Sequence, residues 1–333
     1  MGLVATGVQV MPRAGRVATE GDGQLQDEPR AFVSLEKRVL TPSHPSRGDP
    51  DSLLTLRTTD LTSRFLDFYR AAQNPGVGPE ERWTLWRERY GFAAVPPTAQ
   101  GMAQARRQLE ESWPDYPGLL DRIRQGAAGM RPDPGEILKE VAHLLELDRP
   151  LEVEVVAFVG TGPSVAFSMA LPDRWQVALP VEQEPSRREI AASHEFAHAV
   201  HARLAGLEGS WNRNVGQLVL GEGLAMHVAR ALFPGQPPGA YVGSTAEWMR
   251  AAGDRREEIL RGVLASVDNA TPRAMDRFTR GPGPAGLDRE AYYAGWALVD
   301  HLLDSGWTLP SLARVPRGFM ARVVERGLEE MLE

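Results

Sequence analysis

His194, Glu195 and His198 stand in the run His194-Glu195-Phe196-Ala197-His198, an H-E-x-x-H pattern. Residues four apart on an α-helix are offset by only about 40°. The two imidazoles therefore project from one face, one turn apart, where they can share a zinc ion. Glu195 leans toward the position a water would take and is placed to act as general base and acid. The chain contains 7 His, which makes chance assembly of this pattern on an amphipathic helix the remote alternative.

A catalytic zinc site uses three protein ligands and one open position. The sequence has no Cys, so thiolate sites and disulfides are excluded and the third ligand must be His or a carboxylate. The metzincin spacing would put Gly at 201 and His at 204, but the chain has His201 and Leu204. Glu222, in Gly221-Glu222-Gly223-Leu224-Ala225, is the best candidate. A carboxylate among Leu218, Val219, Leu220, Leu224 and Met226 is costly unless paired or metal-bound. The bland alternative is a glutamate at a helix entry, and Asp288 and Glu208 are weaker substitutes. His201 reads as support or packing, His227 as pointing away from Glu222, and His143 and His301 as ordinary helix residues.

These side chains need a helix under the histidine pair and a second element to deliver Glu222. Ser186 with Glu189 fits a capping box opening the motif helix, and Gly206 is a plausible stop. Upstream, Leu151 to Val159 alternates and is β-branched, while 164–171 and 175–181 read as two further strands. The three make a small sheet just before the motif helix. A helix over 215–232 carries Glu222, and two later helices, near 253–267 and 289–305, flank a Gly/Pro-rich loop at 281–286. Towards the N-terminus, Thr59-Asp60 caps a helix bearing Phe65, Leu66, Phe68 and Tyr69. Further helices follow around 83–90, 103–126 and 134–147.

Residues 1–50, rich in Gly, Pro, Ser and Arg without periodicity, read as a flexible tail. The predicted architecture is α+β and mostly helical, in three parts after that tail. They are a helical N-terminal part (51–150), a core with the sheet, motif helix and third-ligand helix (151–235), and a helical C-terminal lobe (236–333). At 333 residues and 42% apolar content, the chain can bury a large core. Its net charge of −7 offers no basic field to nucleic acid. No window approaches the roughly 18 apolar residues of a membrane span, and the first residues lack a secretory pattern. The expected location is cytoplasmic, and the oligomeric state is open.

The H-E-x-x-H run followed by Glu222-Gly223-Leu224-Ala225 resembles the gluzincin clan of metallopeptidases, the thermolysin-like zincins. Within that clan it is most similar to bacterial predicted zinc proteases with an E-G-L-A third-ligand motif. The resemblance is specific over 151–232 and extends loosely to Tyr292-Tyr293-Ala294-Gly295-Trp296, similar to an aromatic-glycine motif on a late helix of that group. It implies a zincin fold with an edge strand above the motif helix, and Zn2+ held by His194, His198 and Glu222. It also implies Glu195 as general base and acid, and a tyrosine phenol aimed at the developing oxyanion. Of Tyr292 and Tyr293, the second is preferred. Where thermolysin-like enzymes carry an Asp four residues after the ligand Glu, this chain has Met226. The function expected is zinc-dependent hydrolysis of peptide bonds in a peptide or protein substrate. The rivals are a zincin-like metal-binding or sensor protein with little turnover, and a metal-free helical scaffold.

Overall fold

The computed structural model describes residues 49–333 apart from 96–97, 162–164 and 208–212. Most of the expected tail, residues 1–48, lies outside the described residues, as do Glu208 and the expected strand start at Ser164. Four strands, β1 (Leu54–Asp60), β2 (Leu151–Phe158), β3 (Phe167–Ala170) and β4 (Trp175–Pro180), form one mixed sheet in the order β1-β2-β4-β3. β1 runs parallel to β2 with Leu54 opposite Leu151, and β2 runs parallel to β4 with Val153 opposite Trp175. β3 is antiparallel to β4, with Phe167 opposite Ala178. The three expected strands are present. β1 is an addition: most of its residues are exposed, so it lacks the apolar alternation that marks a strand, and backbone pairing to β2 defines it.

Asp60 closes β1 and opens the next helix, α1 (Thr62–Ala72). Its Oδ1 accepts from the Thr62 N–H at 2.9 Å and its Oδ2 from the Ala127 N–H at 2.8 Å. α2 (Pro79–Arg89), α3 (Ala99–Ser112), α4 (Tyr116–Gln125) and α5 (Pro134–Leu144) complete a helical front half. The single helix expected over 103–126 is two. Pro114 has no N–H to give and its ring clashes with the preceding turn, so α3 ends at Ser112. Phe65, Phe68, Trp86, Tyr90 and Tyr116 fill the interior here. The Tyr90 and Tyr116 hydroxyls donate to the Val159 and Gly160 carbonyls, each at 2.8 Å, tying these helices to the end of β2.

The motif helix is α6 (Pro185–Ala205). Its N-cap is Glu184, with Pro185 in the first helical position, so the expected Ser186–Glu189 capping box does not form. Proline's fixed φ suits that position, where its missing N–H has no partner to lose. Gly206 ends α6 in the left-handed region at φ 70°, as expected of a C-terminal glycine. α6 lies against β3 and β4 on one side and against α7 (Val215–Leu232) on another. α7 opens with a reciprocal Asn214–Gln217 capping box and is buried nearly all round, from Val215 to Ala229.

The C-terminal helices are α8 (Pro238–Val242), α9 (Ala246–Asp254), α10 (Arg256–Leu264), α11 (Pro272–Thr279), α12 (Glu290–Asp304), α13 (Leu309–Ala313) and α14 (Arg317–Leu332). The helix expected over 253–267 breaks at Arg255, between α9 and α10, whereas α12 matches the helix expected over 289–305. α12 and α14 pack on α7, and one apolar core runs from Leu61 to Leu328. No helix among the described residues is long and apolar enough to cross a membrane.

Candidate metal centre

α6 and α7 bring three donor atoms to one point. His194 Nε2 and His198 Nε2 lie 3.0 Å apart. Glu222 Oε2 lies 3.2 Å from His194 Nε2 and 3.4 Å from His198 Nε2. Donors around a tetrahedral ion with bonds of about 2 Å are about 3.3 Å apart. Hydrogen bonding alone does not account for this triangle. An imidazole nitrogen is a donor or an acceptor, never both, so no choice of tautomers places a proton in all three contacts. A cation among the three atoms satisfies them together. The group could therefore hold a metal ion. A second set, Asp49, Asp51 and His143, is largely exposed and already has the Lys139 ammonium 3.1 Å from Asp51.

The local sequence explains the convergence. The two histidines share a face of α6 because they are four residues apart. Glu222 is only 5% exposed, a burial that a carboxylate tolerates when charged partners surround it. Burial opposes its ionisation, but the His198 and His194 imidazoles outweigh that and hold its pKa well below the usual range. His198 shows the counterpart: burial works against its charge, and the Glu222 carboxylate, with help from Glu195, shifts its pKa upward. Glu195 is partly exposed beside the donors and enters none of the hydrogen bonds or ion pairs of the described residues.

Tyr292 and Tyr293 diverge. The Tyr292 pKa is raised by the Glu222 carboxylate first, then by burial, with Glu195 adding to the effect. Tyr293 instead lies edge-on to Trp248, with ring centroids 6.4 Å apart. Its hydroxyl abuts Gly253 on α9, and burial rather than either glutamate raises its pKa. Of the two, Tyr292 is the one on which Glu222 and Glu195 act, and Tyr293 is turned toward α9. Adjacent helical residues point about 100° apart, and the contact between Gly295 and Gly223 turns the Tyr292 side of α12 toward α7. The sequence contains that signal in Gly295, three residues after Tyr292.

Other candidates fall elsewhere. Asp288 accepts from the Trp248 indole at 3.0 Å, apart from the donor group. His227 bonds the Gly223 carbonyl at 2.9 Å and Asp300 at 3.2 Å, facing away from Glu222 as expected. Met226 sits in an apolar cluster with Ile190, Tyr241 and Trp296, so no carboxylate occupies that place. His201 is buried beside Gly221 with its Nε2 unpartnered, and burial, then the neighbouring His198, lowers its pKa to about 3. His143 and His301 make partly exposed contacts with Asp51 and Glu330. The structure adds Arg213, whose Nη1 lies 3.8 Å from Glu222 Oε1. No pattern in the sequence marks it.

Comparisons with protein-family models, curated proteins and solved structures find no match to this chain. The functional reading rests on the site itself: a nitrogen-nitrogen-oxygen donor set, an unpaired carboxylate beside it, a protonated phenol and a guanidinium.

Proposed function

We propose that the chain is a zinc-dependent metallopeptidase of gluzincin type, acting on a peptide or protein substrate. The observation that carries this reading is the triangle of His194 Nε2, His198 Nε2 and Glu222 Oε2, with sides of 3.0, 3.2 and 3.4 Å. Two imidazoles and one carboxylate suit zinc, whereas Ca2+ and Mg2+ favour all-oxygen sets. The bound ion supplies Lewis acidity, which acidifies water and polarises a carbonyl oxygen.

The chain's own residues do the rest. The unpartnered Glu195 carboxylate takes a proton from the attacking water and returns it to the departing amine. The Tyr292 phenol donates from its hydroxyl to the oxygen on which negative charge develops. β3 is an edge strand among the described residues and lies against α6, and that edge would support an extended peptide through backbone pairing.

The test is metal quantification on untagged protein, paired with peptide-library cleavage with and without a chelator. Stoichiometric zinc and chelator-sensitive cleavage are expected. Glu195→Gln should keep zinc and lose turnover by about 100-fold or more. Stoichiometric zinc without cleavage of any peptide would instead identify a metal-binding protein with no peptidase activity.

A further inference from the structure

We infer that this site selects substrates that carry a carboxylate within one residue of the scissile bond. The inference deepens the peptidase reading and rests on it. One guanidinium covers Tyr292 and a second stands beside Glu222. Arg213 Nη1 is 3.8 Å from Glu222 Oε1, beyond hydrogen-bond reach, and its side chain is half exposed. The Arg289 guanidinium carbon stands 4.1 Å over the Tyr292 ring. One of its terminal nitrogens donates to the Val242 carbonyl at 2.7 Å, which fixes the group in place. Its Nε is buried, which leaves the terminal nitrogens as the part of Arg289 that could meet a carboxylate.

The backbone points the same way. Arg289 precedes α12 in the left-handed region, at φ 58° and ψ 28°. A residue other than glycine adopts that conformation at a cost, and such strain concentrates at functional sites. Here the strained residue is the one that carries a guanidinium over Tyr292.

Charge completes the case. A divalent cation held there would offset the charges of Glu195 and Glu222, leaving Arg213 and Arg289 as cations beside the site. This occurs on a chain whose net charge is −7. Arg213 stands beside Glu222 and Arg289 over Tyr292, the residues proposed to hold the ion and to meet the oxyanion. A guanidinium recognises a carboxylate through paired N–H donors. That carboxylate has two sources, the free C-terminus of a peptide or an Asp or Glu side chain.

The experiment uses three peptides of one sequence: the C-terminal free acid, its amide, and the amide with Glu placed at successive positions. Binding is measured by calorimetry to the zinc-loaded Glu195→Gln protein, and cleavage is measured with the zinc-loaded parent. A carboxylate-bearing peptide should bind roughly 10- to 100-fold tighter than the plain amide. Preference for the free acid identifies the C-terminus as the source, and preference for the Glu-containing amide identifies the side chain. Arg289→Gln and the half-exposed Arg213→Gln should each drive that ratio toward one, with zinc content and circular dichroism showing that the fold is kept. Equal binding of all three peptides, or no binding of any, overturns the inference. Equal cleavage of all three also overturns it while leaving the peptidase reading intact. Preferential binding of a carboxylate peptide without cleavage does the reverse.

Discussion

Gly223 on α7 and Gly295 on α12 meet backbone to backbone. A methyl group built on Gly295 would stand 2.5 Å from the Val219 carbonyl oxygen and 2.9 Å from the Gly223 nitrogen. One built on Gly223 would collide with the Gly295 carbonyl. Glu222 immediately precedes the first glycine and Tyr292 lies one turn before the second, so this contact sets the distance from the third donor to the phenol. Gly295→Ala should lower stability by about 1–3 kcal/mol, as overpacking does when backbone must move. Urea denaturation checks this. An unchanged midpoint would mean that the two helices part without cost.

The donor triangle makes a sharp prediction about metal affinity. His194→Ala, His198→Ala and Glu222→Ala should each weaken zinc binding beyond the roughly 10- to 100-fold typical of losing a residue that merely supports a ligand. Competition against a chromogenic chelator measures it. Parental affinity in Glu222→Ala would remove that carboxylate from the donor set.

The two tyrosines should separate kinetically. Tyr292→Phe is expected to lower kcat by about 10²- to 10³-fold, the range for losing one donor to a developing oxyanion. Tyr293→Phe should change it little, because that hydroxyl abuts Gly253 instead. Peptide hydrolysis under saturating substrate distinguishes them, and a reversed order would restore Tyr293 to the role.

His201 predicts an acid weakness. Above its unfolded pKa of about 6.5 the imidazole is neutral in both states and stability is indifferent to it. As pH falls below that, the unfolded chain binds a proton that the folded chain refuses until about pH 3. Stability is therefore lost across that window, by at most about 1.4 kcal/mol per pH unit for this group. His227, whose pKa burial also lowers, adds in the same direction. Urea midpoints of chelator-treated protein between neutral and mildly acid pH should fall less steeply in His201→Leu than in the parent. Parallel curves would show that His201 does not carry the effect.

The convergence of His194, His198 and Glu222 was legible because helical periodicity alone aligns His194 with His198, and because an apolar neighbourhood makes Glu222 expensive unless it has partners. The strands 151–158 and 175–180 were legible from their apolar, β-branched runs. β1 was not, since a strand exposed along most of its length carries its instructions in backbone pairing to a segment almost a hundred residues away. The break at Pro114 shows local stereochemistry overriding an otherwise continuous helical pattern. Tyr292 and Arg213 depended on tertiary phase: which side of α12 faces α7, and which loop residue reaches over Glu222. Neither has a local signature beyond Gly295.

The enclosure of α7 has a kinetic corollary. The Glu222 carboxylate lies inside an interior helix and is only 5% exposed, so local opening of α7 is needed to free it. A metal held there would load from the more exposed imidazole side or on separation of α6 and α7. The residence time of such an ion would then be a clock for how often the protein's interior breathes.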